Sequence, residues 1–311
     1  MSTSILKKLS AAAGVLVLFF IVYLYRQVPR SQAPFADAEA RMERIILAHG
    51  AKRVELRKQG NAWKVASDGG YFPAEDSQIS TLLSGLKAIK IEDEISNRAD
   101  RAAEYEVTAE SGTQVQLFGA NETKLAEGLF GKQAPDFAHI YFRYPDKPNV
   151  YLASGMIRGE LGGIDVNAWR NHQLLDIPET KIQAITIEGE GFTTELVRTS
   201  TNVWTMNGKV IDTGLLNALV GTLAHLHVNA FVDPAAYPAL SYEGLAYARV
   251  TVKGADSSVE LRIGALDVKS QQHPVSIGKD NGLAWLPKSI VNSLLQRPSA
   301  FPAAKTPRQQ T

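Results

Sequence analysis

The chain has 311 residues, 33 of them Lys or Arg against 32 Asp or Glu, with no cysteine. That length is about twice a typical single domain, and a formal net charge of +1 without a long run of either sign excludes the basic footprint of a nucleic-acid binder. The lack of cysteine excludes a disulfide framework, a thiolate metal site, a cysteine nucleophile and a lipid-modified cysteine.

From Leu9 to Tyr25 no residue is charged, and at about 1.5 Å per residue this run spans roughly 25 Å, close to the hydrocarbon thickness of a bilayer. Leu9, Val15, Phe19 and Phe20 supply its apolar body, and Tyr23 and Tyr25 form an aromatic edge ahead of Arg26 and Arg30. Lys7 and Lys8 can snorkel to the other headgroup layer. The competing reading is a cleaved signal peptide, whose apolar core is about 7 to 15 residues long. Ser31-Gln32-Ala33 has the small residues of a cleavage site but precedes Pro34. Residues 1–30 are therefore expected to be an uncleaved single-pass anchor in the inner membrane, with the rest extracytoplasmic. The charges on its two sides nearly balance and lean only slightly to an inside N-terminus.

Residues 42–161 read as a first α+β repeat. Arg44 to Leu47, Arg53 to Leu56 and Ala62 to Val65 are strand-like, with Val54 and Leu56 alternating against Glu55 and Arg57 in the period of a half-buried antiparallel strand. Asp76 is placed to cap a helix whose Ile79, Leu82, Leu83, Leu86 and Ile89 form one apolar stripe. Val115-Gln116-Leu117, Leu129-Phe130-Gly131, Ile140-Tyr141-Phe142 and Val150-Tyr151-Leu152 read as a meander of short strands, and Gly155 to Leu161 as a short closing helix.

Residues 182–297 repeat this order. The stretch from Asn61 to Asp93 has an echo from Asn202 to Asp233, so that Trp204 answers Trp63 and Asp212 with Leu215, Leu219 and Leu223 rebuilds the helix. Ile185 and Ile187 correspond to Ile45 and Leu47, Tyr242-Glu243 to Tyr105-Glu106, Gly264 to Gly131 and Ala284-Trp285-Leu286 to Val150-Tyr151-Leu152. Two tandem domains follow, each a mostly antiparallel sheet with a packed helix, joined by a linker at 162–181. Residues 298–311, rich in Pro, Ala and Gln, are expected to form a disordered tail.

Candidate chemistry is thin. Gly128-Leu129-Phe130-Gly131-Lys132-Gln133 lacks the four-residue spacing and the Ser or Thr of a phosphate loop, so Gly131 reads instead as a strand-end turn. His225 and His227 would share a face if extended, but no third ligand lies near. Glu104 with Glu106, or the run Glu92-Asp93-Glu94, has the residue types of an acid/base pair without a visible cleft. Gly-x-Ser-x-Gly and His-Glu-x-x-His are absent. No catalytic, cofactor or metal site is expected, and the chain does not read as an enzyme. Trp169 and Arg170 stand out in the linker, an aromatic and a forked donor of the kind enriched in contact hot spots, as candidates for a partner or inter-domain contact.

The anchor, the strands ending in Trp63, the Asp-led Leu-rich helix, Tyr105-Glu106-Val107, Leu129 to Lys132, Val150 to Leu152 and Trp169-Arg170-Asn171, in that order, resemble the bacterial family called domain of unknown function 4340. The resemblance covers about Ile45 to Leu295 and brings no catalytic residues. It implies a single-pass extracytoplasmic protein often encoded beside gliding-motility-type ABC transporter subunits. The expected function is thus a non-catalytic accessory subunit docking on membrane subunits of an ABC-type complex. The alternative is a periplasmic module binding an envelope polymer or small ligand in a groove between the repeats.

Overall fold

The computed structural model describes residues 33–304, apart from 68, 69, 157, 202, 256 and 279–281. The expected anchor, with Leu9, Val15, Phe19, Phe20, Tyr23 and Tyr25, lies outside the described residues. Among those described, no helix is long and apolar enough to cross a membrane. The fold is mostly antiparallel sheet with a few helices, in two nine-stranded sheets. The chain divides into two compact units, one of residues up to 58 with 77–165, the other of 59–76 with 166 onward.

The first sheet is built from β1 (Arg44–His49), β2 (Lys52–Gln59), β3 (Ala62–Ser67), β4 (Gly70–Pro73), β5 (Lys90–Ser96), β6 (Thr113–Phe118), β7 (Lys124–Gln133), β8 (Ile140–Arg143) and β9 (Val150–Ser154). Their order is β4-β3-β2-β1-β6-β7-β8-β9-β5. The period-two pattern sets the register: Ile45 faces Leu56 on one side and Leu117 on the other, and all three are fully buried. The helix α1 (Asp76–Ala88) lays Ile79, Leu82 and Leu86 into the core, each contributing about 1.5–3 kcal/mol before entropy. Asp76 is its first helical residue. Phe35 packs against Phe130 and Phe142 at centroid distances of 5.8 and 6.3 Å.

The second sheet comprises β10 (Ala184–Gly189), β11 (Phe192–Ser200), β12 (Val203–Met206), β13 (Lys209–Val210), β14 (Ala230–Phe231), β15 (Ala248–Lys253), β16 (Ser258–Ile263), β17 (Gln272–Ser276) and β18 (Ala284–Pro287). Its order, β13-β12-β11-β10-β15-β16-β17-β18-β14, is the first order with nine added to every number. Ile185 faces Leu196 and Val252 as Ile45 faces its partners. Where β2 has Val54, β11 has Thr194, and its hydroxyl, fully buried, donates to the Gln296 carbonyl at 2.9 Å.

Several expectations change. The edge strands β4, β5, β13 and β14 carry no clear alternation, since β5 buries only Ile91 and pairs irregularly with β9. Trp63 and Trp204 hold matching ladder positions, their carbonyls accepting the Ala74 and Ile211 amides at 3.1 Å, yet Trp204 is buried and Trp63 only half-buried. In the helix α3 (Gly214–Ala224), Leu215 is 58% exposed and Leu216 takes the core position; Leu83 of α1 is half-buried. Asp212 accepts the Gly214 amide at 2.9 Å. The segment after Gly155 forms only a 3-10 turn, Arg158–Leu161.

The linker and tail are corrected most. A short helix α2 (Val166–Trp169) closes with the Glu75 amide donating to the Trp169 carbonyl at 2.8 Å and Ala74 bridged to Arg170. At the other end the Asp212 amide donates to the Pro302 carbonyl at 2.9 Å and Ile211 is bridged to Ala303. Of the stretch taken from composition for disordered, Pro298–Ala300 thus form a 3-10 turn and Pro302, Ala303 and Ala304 are paired. They follow the helix α4 (Lys288–Leu294), and the ring of Phe301, 2% exposed, outweighs the local Pro and Ala content.

Candidate functional site

Trp169 and Arg170 sit where α2 meets the chain paired to Ala74. Trp169 is 1% and Arg170 5% exposed, so both side chains face inward. The Arg170 guanidinium carbon lies 4.0 Å from the Phe72 ring centroid and 3.4 Å from that of Phe231, a stacked arrangement that a planar cation favours. Burial pulls its pKa down to about 10. Gly282 completes the packing. A Cβ there would meet Phe72 at 2.9 Å and an Arg170 terminal nitrogen at 3.0 Å, and its φ of 69° is one that glycine takes freely.

Within the second unit, Arg170 and Phe72 border a hollow of about 450 Å³ with Asn167, Asp233, Tyr237, Ser241, Tyr242 and Ser276 among its walls. Tyr237 packs edge-on against Trp285 at 5.1 Å, and Arg262 lies 4.5 Å over the Tyr242 ring. Ser276 Oγ sits 2.8 Å from the carbonyl oxygens of Gly278 and Gly282. The wall is therefore aromatic and hydroxyl-rich. Of these residues, sequence reasoning marked Arg170 and, as a turn, Tyr242. Phe72, Phe231 and Gly282 carry no local signal, because only the folded chain brings them to the guanidinium.

The other candidates separate. Gly131 lies inside β7 rather than at a turn, pressed against the Tyr105 carbonyl, where a Cβ would approach to 2.1 Å; a glycine here serves close packing of backbone. Glu104 accepts from Arg101 at 2.6 Å and Glu106 from Arg158 at 2.9 Å, so these carboxylates do not converge. His227 Nδ1 folds onto the His225 carbonyl at 2.8 Å, while His225 faces Asp176 at 3.4 Å. Among the described residues no group of three or more His, Asp or Glu is set to hold a metal ion.

The structure does bring together Glu92, Asp136, His139 and Ser154 in the first unit. His139 Nδ1 lies 2.5 Å from Asp136 and Nε2 lies 3.2 Å from Glu92, whose other oxygen accepts the Ser154 hydroxyl. Both ring nitrogens thus face carboxylates, which favours the imidazolium. The hydrogen bond to Asp136 raises the His139 pKa, and the same bond lowers that of Asp136. The serine bonds the glutamate and not the histidine, so the pairing that would activate a nucleophile is missing from this cluster. The cluster is an ion triad that fastens the β7–β8 loop to β5.

No curated protein and no solved structure matches the chain. Residues 63–246, more than half of it, match the model of the family described as Domain of unknown function (DUF4340), and the chain belongs to that family.

Proposed function

We propose that this protein is a membrane-anchored, extracytoplasmic accessory subunit of an ABC-type envelope transport or gliding-motility-like complex, and that it works by docking without catalysis. The observation that carries the reading is the repetition of one nine-strand order in both sheets, a scaffold presented twice on a chain whose residues Leu9 to Tyr25 have the length and polarity of an inner-membrane anchor. Two copies of one scaffold supply surface, and a tether raises the local concentration of that surface beside membrane subunits. The partner class comes from what the family resemblance implies.

Affinity purification from native membranes tests this. Co-purification of a transporter permease, lost when residues 1–30 are replaced by a cleaved export signal, is the expected result. A chain that works equally well without the anchor would overturn it. A second reading, a module binding an envelope glycan or small ligand, is favoured by the hollow at Arg170 and its tyrosines. Saturable glycan binding by the isolated chain, lost on Tyr237→Ala, would establish that reading in place of docking.

A further inference from the structure

Because both sheets follow one strand order, a position in one unit can be compared with its counterpart in the other. The ladder pairs Ala48 with Gln114 and Glu188 with Arg249 fix the match, which sets His49 against Gly189 and Gly112 against Tyr247. In the first unit this corner is closed. His49 Nδ1 donates to the Gly112 carbonyl at 3.0 Å, and a Cβ at Gly112 would meet the Glu106 and Thr108 carbonyl oxygens at 2.9 Å. In the second unit the large and small residues have changed places, and Tyr247 stands 44% exposed beside two hollows of about 420 and 240 Å³. Both hollows are bordered by Gly189, Glu190 and Tyr247, so they join as one open groove. It shares no wall residue with the hollow at Arg170.

The ring of Tyr247 is a prepared platform. It stacks on the buried His273 ring with centroids 5.2 Å apart, and His273 Nδ1 in turn donates to the Gly264 carbonyl at 2.9 Å. The Tyr247 amide donates to the Ile263 carbonyl at 2.9 Å, so backbone and ring are both fixed before anything binds. Farther along, the Phe192 ring lies across Gly189, where a Cβ would come within 2.4 Å of it, and the Arg297 guanidinium lies 5.0 Å over that ring. Glu190 and Asn292 are exposed at the rim, and among the described residues no other side chain engages theirs.

We propose that this groove binds an uncharged oligosaccharide, with one sugar ring laid on Tyr247. The C–H face of a pyranose is apolar and flat enough to lie on an aromatic ring, while the hydroxyls around its edge both donate and accept. A carboxylate accepts from two hydroxyls, and an amide side chain donates to one and accepts from another. Glu190 and Asn292 therefore suit the edge of such a ring. Charge argues for a neutral ligand. Glu188 and Glu190 border the groove against Arg249 and Arg297, with Arg249 3.4 Å from Glu188, so a ligand of either sign meets its own charge. A purely aliphatic ligand would cover these polar groups without replacing their water. The larger hollow is within the usual range of about 300–1,000 Å³ for ligand sites, and its continuation toward Arg297 gives length for more than one ring. The inference goes beyond the docking reading and rests on no part of it.

The test is saturation-transfer NMR on the full chain in nanodiscs, with cellohexaose, chitohexaose and maltohexaose as probes and empty nanodiscs as the blank. The expected result is saturable transfer to the ring C–H protons of at least one probe. Tyr247→Ala should reduce it several-fold and Tyr247→Phe should keep it. Asn292→Ala, at an exposed position of α4, should also reduce it several-fold while circular dichroism stays unchanged. Absence of transfer to all three probes overturns the proposal, as does transfer that survives both Tyr247→Ala and Asn292→Ala. Transfer kept in Tyr247→Ala but lost in Tyr237→Ala moves the glycan to the hollow at Arg170; it overturns this site and supports the second reading above. Stronger transfer to a capped alanine-tyrosine pentapeptide than to every sugar gives the groove to peptide and overturns the proposal as well. Co-purification with a permease is decided separately, so the docking reading stands or falls on its own experiment.

Discussion

Gly131→Ala separates a glycine needed for packing from one kept for flexibility. A Cβ at 131 would lie 2.1 Å from the Tyr105 carbonyl oxygen and 2.7 Å from Val107 Cγ1, about 1 Å or more inside contact distance. Neither neighbour can retreat easily. Tyr105 packs at 4.7 Å on Tyr141, Val107 is fully buried, and the intervening Glu106 already holds a φ of 57°. Relief requires moving β7 away and stretching the bond from the Lys132 amide to the Tyr105 carbonyl, 3.2 Å long. Overpacking costs about 1–3 kcal/mol and the bond contributes about 1 kcal/mol, so the loss is about 2–4 kcal/mol. At a urea slope of about 2 kcal/mol/M the midpoint falls by about 1–2 M. The assay is urea unfolding followed by far-ultraviolet circular dichroism, because all four tryptophans lie in the second unit and fluorescence follows that unit alone. Gly159→Ala, where a Cβ meets nothing within 4 Å, is the control and should stay within about 0.5 kcal/mol. Equal midpoints for the two variants would refute the close-approach argument.

Two further outcomes are expected. Leu82→Ala and Leu219→Ala, both buried, should each lower stability by about 2–5 kcal/mol, whereas Leu215→Ala, at 58% exposure, should change it by less than about 0.5 kcal/mol; denaturant titration checks both. For the β7–β8 loop, the raised His139 pKa means that its stabilising contribution is complete below the ordinary value of 6.5 and is lost as pH rises through the folded value. The lowered Asp136 pKa means that its contribution is present above the ordinary 3.8 and is lost as pH falls through the folded value. Protection of the Ala138 and His139 amides, taken relative to intrinsic exchange at each pH, should therefore be greatest between about pH 4 and 6.5. The His139 ring should titrate by NMR above 6.5 in the native chain and move back toward 6.5 in Asp136→Asn; an unchanged midpoint would count against the triad.

The repeat was legible because its core residues recur in order and with the right period. Ile45, Leu56 and Leu117, like Ile185, Leu196 and Val252, are apolar partners whose alternation survives in one dimension. The helices were found for the same reason, although Leu215 and Leu216 exchange roles because adjacent leucines leave the stripe's exact angle open. The edge strands were missed because β5 has one deeply buried residue and β14 only two residues in all. Arg170 drew attention by type, but its setting between Phe72 and Phe231 depends on segments far apart in the chain. The cluster of Glu92, Asp136, His139 and Ser154 was scattered for the same reason.

The matched closing contacts, Trp169 and Arg170 on Glu75 and Ala74, Pro302 and Ala303 on Asp212 and Ile211, bear on the ancestry of the chain. If both straps descend from one, the copied segment extended past Leu161 through its strap, and the seam between the copies falls after Arg170 rather than at the glycines near 162. The two straps then diverged unequally. One kept or acquired a large aromatic and a buried cation, which brought Phe72 and Phe231 together around it, while the other became a plain Pro-Ala strip whose backbone alone is used.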